Sequence, residues 1–270
     1  MPEIPEMEVY KNQLSKTVIH KKVTGVIINR ERAINVEPAV FSELGNDQLI
    51  VYVSRRAKHL IVTLGNGYYL VGHLMLGGRI YLAEPGEKLK TQGSVILEFS
   101  GGEKLYFINL RLGWLHVMNE EEMDRQFAKL GPEPLSEFFT LEWLSDNLSQ
   151  KRGTIKPLLT EQGFIAGIGN CYSDEILFGA GLRPDRKANE INPKESKQLF
   201  SAIPTVLRDA IANGGYMEKP FRLHDKLTGG HNEHLKVYDR EGQPCSRCPG
   251  IIVLTTLSGK KSFFCPSCQR

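Results

Sequence analysis

No run of apolar residues in this chain approaches the roughly 18 that a transmembrane helix needs. The first twenty residues carry Glu3, Glu6 and Glu8 and lack the apolar core of a signal peptide. Membrane insertion and secretion are therefore not expected, which suits a bacterial cytoplasm. Net charge is also scarce: 34 basic residues face 31 acidic ones, and the resulting +3 is too small to imply a nucleic-acid partner by itself. No internal repeat or low-complexity stretch stands out. What the 270 residues do have is 41% hydrophobic content, enough for real cores in one large domain or two to three smaller ones.

The charge is unevenly spread. From Lys219 to Arg270 nine basic residues face four acidic ones, a local balance of +5. That fits either polyanion binding or an ordinary solvated surface. The same third holds four of the five cysteines, Cys245, Cys248, Cys265 and Cys268, spaced C-x2-C-x16-C-x2-C. Each two-residue spacing lets a tight turn aim two thiolates at one point, and the intervening sixteen residues suit a β-hairpin. The pattern predicts a closed structural zinc site, with two disulfides as the alternative. Four thiolates around Zn²⁺ carry −2, which lowers the local balance to about +3. The hairpin tip, Ser258-Gly259-Lys260-Lys261, projects two lysines either at phosphates or simply into solvent. Cys171 sits in a helical pattern and reads as a small buried residue.

Upstream, residues 6–18 read as a helix with Met7, Tyr10 and Leu14 along one face. Eight short β-type runs follow, near 22–28, 48–54, 59–65, 68–75, 78–83, 94–100, 104–110 and 113–118. Turn signals such as Gly65-Asn66-Gly67 separate them, and together they suggest an antiparallel sandwich or barrel. Leu130-Gly131-Pro132-Glu133-Pro134-Leu135 reads as a stiff boundary, and 139–213 is mostly helical in pattern. Within it, Gly163 to Gly169 forms a glycine-marked turn. Asn170 then reads as the N-cap of a helix over 171–180, with Gly181 as its left-handed exit. Two helices joined by such a turn make either a phosphate-binding surface or a plain helix hairpin.

The start, Met1-Pro2-Glu3-Ile4-Pro5-Glu6, also has two readings. Pro5 can simply open the helix. Alternatively, removal of Met1 leaves Pro2 as a secondary amine at the terminus. A terminal amine has a pKa of about 8, against about 10.4 for a lysine side chain. A useful fraction is therefore unprotonated near neutral pH and can form an iminium with a sugar carbon, with Glu3 moving protons beside it.

Taken in order, these segments resemble the formamidopyrimidine-DNA glycosylase and endonuclease VIII family. The resemblance runs through the Pro2-Glu3-…-Pro5-Glu6 start, Arg55-Arg56-Ala57-Lys58, His73-Leu74 and Leu130-Gly131-Pro132-Glu133-Pro134. It continues through Gly167-Ile168-Gly169-Asn170-Cys171-Tyr172, Val237-Tyr238-Asp239-Arg240-Glu241-Gly242 and the four-cysteine finger. It implies a multidomain α+β chain in three parts. These are an N-terminal helix with an eight-stranded antiparallel β-sandwich (1–130), a helical domain with a helix–two-turn–helix motif (131–235) and a zinc-finger β-hairpin (236–270). It implies a monomeric, nucleoid-associated base-excision enzyme on double-stranded DNA with a damaged or abasic nucleotide. Pro2 is then the nucleophile, assisted by Glu3 and Lys58, with Glu6 anchoring the terminal loop. Lys156, Asn170 and Lys260 are expected on phosphates, and Leu76 and Arg111 are expected in the duplex.

Three departures from the family pattern bear on how a base is read. Leu76 stands where a methionine wedge is usual. The loop Asn109-Leu110-Arg111-Leu112-Gly113 is one residue short and has Leu112 in place of an aromatic. Lys260, or Lys261, replaces the finger arginine, which keeps the charge and loses the planar fork. The stretch 214–233 is also atypical, and its His224 and His231, with His234 beyond, read as phosphate contacts or as loop histidines without a role. These changes leave a second function open: a catalytically reduced paralogue that binds damaged, abasic or branched DNA.

Overall fold

Helix α1 (Ile4–Thr17) starts where proline is tolerated, with Pro5 in its first turn, and buries Met7, Tyr10 and Leu14 at helical spacing. Eight strands follow, all at the expected places: β1 (Val23–Ile28), β2 (Ile50–Arg56), β3 (His59–Leu64), β4 (Tyr69–His73), β5 (Arg79–Ala83), β6 (Val95–Phe99), β7 (Lys104–Ile108) and β8 (Trp114–Met118). Two short helices, α2 (Pro38–Gly45) and α3 (Glu120–Phe127), accompany them. The computed structural model describes residues 1–217 and 219–270.

The strands form two four-stranded antiparallel sheets, ordered β1-β6-β7-β5 and β2-β3-β4-β8. Their inner faces close on one core that includes Val62 and Leu115 from one sheet and Leu97 and Phe107 from the other, under Tyr10 and Leu14 of α1. The outer faces are covered in part as well, with Ile61, Val71 and Met118 clustered on one sheet and Tyr81, Ala83 and Ile108 on the other. The chain separates into two compact units. The first is Met1–Ala128 with Asn213–Gly230, and the second is Lys129–Ala212 with His231–Arg270. Segment 213–230 joins the first unit because Phe221 is fully buried in the sandwich core and its carbonyl accepts from the Leu82 N–H at 2.8 Å.

The second unit holds α4 (Leu141–Ser149), α5 (Ile155–Leu159), α6 (Asn170–Ala180), α7 (Pro193–Ala212) and a hairpin of β9 (Val253–Leu257) and β10 (Lys260–Phe264). Ser258 and Gly259, both at positive φ (48° and 75°), make the two-residue turn. Lys260 therefore opens β10 instead of sitting in the turn. Thr160, Gln162 and Gly167 shape the link between α5 and α6. The Gln162 amide donates to the Thr160 and Ile168 carbonyls, and its oxygen accepts from the Gly167 N–H at 2.8 Å. One side chain thus fills the double turn. Among the described residues, no helix is long and apolar enough to cross a membrane.

Candidate active site

In the first unit, the terminal residues are fixed by Glu6. One Glu6 oxygen accepts from the Glu3 N–H and the other from the Tyr216 N–H, each at 2.7 Å. Gly215 lies so close to Glu6 that a Cβ there would meet its Oε1 at 2.8 Å, and its φ is +70°. Glycine is therefore required where segment 213–230 passes the terminus. Glu3 and Glu6 are both buried. Beside them Pro2 lines a half-open cavity of about 300 Å³ with Tyr10, Leu76, Arg79, Tyr216 and Lys219. Pro2, Glu3, Glu6 and Leu76 thus fall in one place.

Leu76 and Leu112 are the apolar tips of two loops, 62% and 61% exposed. The loops are tied back to back. Asn109, in left-handed backbone (φ 58°), donates its amide to the Gly77 carbonyl at 3.0 Å. Arg30 donates from beneath to the carbonyls of Leu110 (3.1 Å) and Arg111 (3.3 Å). At Gly113 a Cβ would strike the His73 carbonyl oxygen at 2.5 Å, so only glycine permits this approach. The Arg111 side chain is left exposed.

Lys58 follows Ala57 (φ 52°) in the two-residue loop between β2 and β3, and it is buried. Its charge bears on His73, which stacks on His59 at 4.5 Å between ring centroids. Burial, then the neighbouring His73, pushes His59 down to about 3; burial, then Lys58, pushes His73 down to about 4. Both rings are neutral at pH 7.

The second unit departs from expectation at Lys156. Its side chain is 1% exposed, and its ammonium meets Asp174 at 2.7 Å and donates to the Lys261 carbonyl at 2.5 Å. An ammonium enclosed in this way is an internal ion-pair partner, so Lys156 is not a surface phosphate contact. Asn170 is likewise not the N-cap. Gly169 holds that position and Asn170 is the first residue of α6, because the glycine takes the extended conformation that ends the turn. The Asn170 Oδ1 is buried with no hydrogen-bond partner among the described residues. Lys260 is exposed, and its ammonium reaches the Thr160 hydroxyl at 2.9 Å, next to α5. Of the loop histidines, His231 is buried beside Tyr172 and His234.

Two residues without an expected role hold the finger in place. Asp174 accepts from the Ser262 hydroxyl at 2.9 Å and the Phe263 N–H at 3.0 Å. Glu175 accepts from the N–H groups of Lys236, Val237 and Tyr238 at 2.8–2.9 Å. Burial pushes Asp174 up to about 6 against the pull of Lys156, and it raises Glu175 against its three N–H donors. The only trace in the sequence is a pair of adjacent carboxylates on an otherwise apolar helix.

The four finger cysteines bring their sulfurs within 4.8 Å of one another. Cys248 and Cys265 are 3.5 Å apart, and Cys245 and Cys268 are 3.8 Å apart. Zinc–sulfur bonds of about 2.3 Å set tetrahedral edges of about 3.8 Å, so the four thiolates fit a zinc ion. Arg247 backs the site, donating to Cys268 Sγ at 3.3 Å with its guanidinium over the Phe178 ring at 4.2 Å. Cys245, Cys248, Cys265 and Cys268 form a structural zinc site.

Known proteins carry the same succession of parts. The formamidopyrimidine-DNA glycosylase N-terminal domain matches residues 1–114, its H2TH domain 130–220, and the zinc finger found in FPG and IleRS 242–270. A formamidopyrimidine-DNA glycosylase from Pelotomaculum thermopropionicum is 36% identical, over 100% of this chain and 99% of its own length. The chain belongs to the formamidopyrimidine-DNA glycosylase family. A family member from Rickettsia africae is 37% identical with the same coverage. Among solved structures, the Lactococcus lactis Fpg in complex with abasic-site DNA superposes with a TM-score of 0.93 at 28% identity, covering 99% of both chains. A variant of that enzyme in complex with a Fapy-dG containing DNA gives 0.92 at 28% identity, covering 100% of both. For this family member the family fold, sandwich, helices and four-cysteine hairpin, holds over the whole chain.

Proposed function

We propose that this chain is a DNA glycosylase and abasic-site lyase acting through Pro2 on a damaged nucleotide flipped from double-stranded DNA. The observation that carries this reading is the terminal arrangement: Pro2 on the wall of a 300 Å³ cavity, with Glu3 and Glu6 buried beside it. Removal of Met1 frees the Pro2 nitrogen. That nitrogen attacks C1′ as the bond from C1′ to the base breaks, and the base leaves with a proton. Opening of the sugar ring at C1′–O4′ gives an iminium. Loss of a C2′ proton expels the 3′ phosphate (β-elimination), and a second elimination expels the 5′ phosphate. Glu3 moves the protons. Glu6 keeps the terminus and segment 213–230 in register.

Lys58 is assigned to the phosphate beside the lesion, and its charge also favours the neutral Pro2 amine. Asn170 at the start of α6, and Lys260 on the finger, are assigned to other phosphates. Leu76 and Leu112 fill the space the flipped nucleotide vacates, and Arg111 faces the opposite base. Zinc supplies structure, holding the hairpin that carries Lys260.

Borohydride trapping on a duplex containing an abasic site tests the reading. A covalent adduct is expected from wild-type protein whose mass shows that Met1 is absent, and Pro2→Gly with a tag retained at its N-terminus, which leaves no free amine at residue 2, should give none. If zinc-loaded, Met1-free wild-type protein fails to trap, the lyase assignment is wrong and a binding-only paralogue is the better description.

A further inference from the structure

We propose that the cavity beside Pro2 reads the far edge of the flipped base. Tyr10 and Arg79 act there as donors that select a damaged base carrying a carbonyl oxygen at that edge over one carrying an amino group. This rests on the glycosylase reading and names the substrate class of the same site.

Tyr10 lies eight residues after Pro2 on the chain, which is about 12 Å of helical rise if the terminus continues the axis. It lines the cavity, yet it is only 1% exposed. Its hydroxyl accepts from the Ile80 N–H at 3.4 Å, and among the described residues nothing accepts the hydroxyl proton. Burial pushes Tyr10 up to about 12, so at neutral pH it is a neutral O–H and a donor in waiting. The Phe221 ring packs against it at 6.0 Å, which holds the phenol ring, and so its oxygen, in place.

Arg79, at the start of β5, lines the same cavity half-buried, with no ion pair or side-chain hydrogen bond among the described residues. A guanidinium only donates, and so does the ammonium of Lys219 at the rim. The described lining residues include no Asp, Glu, Asn or Gln. The nearby Glu6 carboxylate is already committed to the N–H groups of Glu3 and Tyr216. Among the described residues, the side chains of this wall are therefore rich in donors and poor in acceptors. A carbonyl oxygen satisfies it, whereas an amino group sets donor against donor and leaves a buried polar group unpaired.

The test compares single-turnover excision from duplexes carrying 5-hydroxyuracil or 5-hydroxycytosine, bases that differ at C4, carbonyl against amino group, and in whether N3 carries a proton. Wild-type protein should favour 5-hydroxyuracil by about tenfold or more. Tyr10→Phe keeps the ring and its packing and should shrink that ratio to about threefold or less, and Arg79→Met should act in the same direction. A general loss of folding slows both substrates and leaves the ratio where it was. Equal wild-type rates, or a Tyr10→Phe protein that keeps the full ratio, overturns the proposal. So does a wild-type protein that traps on abasic DNA but excises neither base, a result that leaves the Pro2 chemistry standing. Failure to trap at all removes both.

Discussion

The two compact units of this chain hold their exposed groups by different means. In the first, Leu76 and Arg111 stand on loops clamped by backbone contacts, required glycines and the amide of Asn109, all resting on a large apolar core. In the second, Lys260 stands on a short hairpin with a small apolar cluster around Phe178, Val237 and Phe263. There the fixing is done by buried charge and by a metal site: Lys156 with Asp174, Glu175 with three N–H groups, and four cysteines. A hairpin of this size cannot bury enough surface to stay folded alone, so it needs a metal or a charged joint. The comparison teaches that one family fold can position exposed groups by packing in one unit and by electrostatics in the other.

The strongest way to break this contrast is to remove the metal. Structural zinc in finger peptides contributes on the order of 10–16 kcal/mol. Chelation, or Cys265→Ser, should unfold the hairpin and abolish binding to abasic duplex DNA, while the sandwich keeps its melting temperature. The chain has two tryptophans, Trp114 in β8 and Trp143 in α4. A Trp143→Phe background therefore reports the sandwich alone by fluorescence. A shift of its transition on zinc removal would show that the first unit also depends on the metal.

Next in size is Lys156→Ala. It leaves Asp174 buried without its cation, and breaking a buried pair in this way costs about 3–5 kcal/mol. Protease cleavage within 236–270 should rise, and zinc should be released to a chromogenic chelator faster than from wild type. Replacing both partners, with Lys156→Met and Asp174→Leu, should recover part of the loss, since no uncompensated charge remains. A double variant as labile as the single one would mean that packing, not charge, dominates this joint.

These residues also mark what the sequence made legible. All eight strands are legible because short β-type runs and glycine turns are local signals, and so are the zinc ligands. Helix α3 is harder to read, because none of its residues is fully buried and its apolar side is only Met123 and Phe127, one turn apart; its Asn119–Glu122 capping box is the clearer sign. The environment of Lys156 is not legible, because exposure is a tertiary property. A lysine on a five-residue helix looks solvated until the partner at Asp174, 18 residues on, folds against it. The helical spacing marks Tyr10 as core, but its second place as a cavity wall depends on β5 and on segment 213–230, which no local pattern brings to it.

The first unit also responds to acid. His59 and His73 titrate near 6.5 when unfolded, but in the folded sandwich they are held down to about 3 and about 4. Between pH 6.5 and 4 the unfolded chain thus binds protons that the folded unit refuses, so stability rises with pH and is lost as pH falls. Each histidine contributes a slope of up to about 1.4 kcal/mol per pH unit in that window. Urea midpoints of the Trp143→Phe protein should therefore fall from pH 7 to pH 5, and His59→Phe should flatten the curve. A midpoint independent of pH would mean that the stacked rings are better hydrated than their burial implies.

The smallest effect separates clamping from packing within the first unit. Asn109→Ala removes one exposed amide–carbonyl hydrogen bond, worth about 0.5–1.5 kcal/mol, puts alanine in left-handed backbone at a cost of about 1–2 kcal/mol, and leaves the core untouched. Asn109→Gly removes the same bond without that backbone cost and controls for it. Either substitution unties the Leu76 loop from the Leu112 loop, so the two tips lose their fixed spacing although both leucines are still present. If Leu76 and Leu112 enter the duplex as one wedge, Asn109→Ala should slow base excision several-fold, and adding Leu112→Ala should then cost less than it does in wild type. The double-mutant cycle measures that shortfall directly. Strict additivity would show that each leucine acts alone, and the first unit would then need no clamp to position its exposed groups.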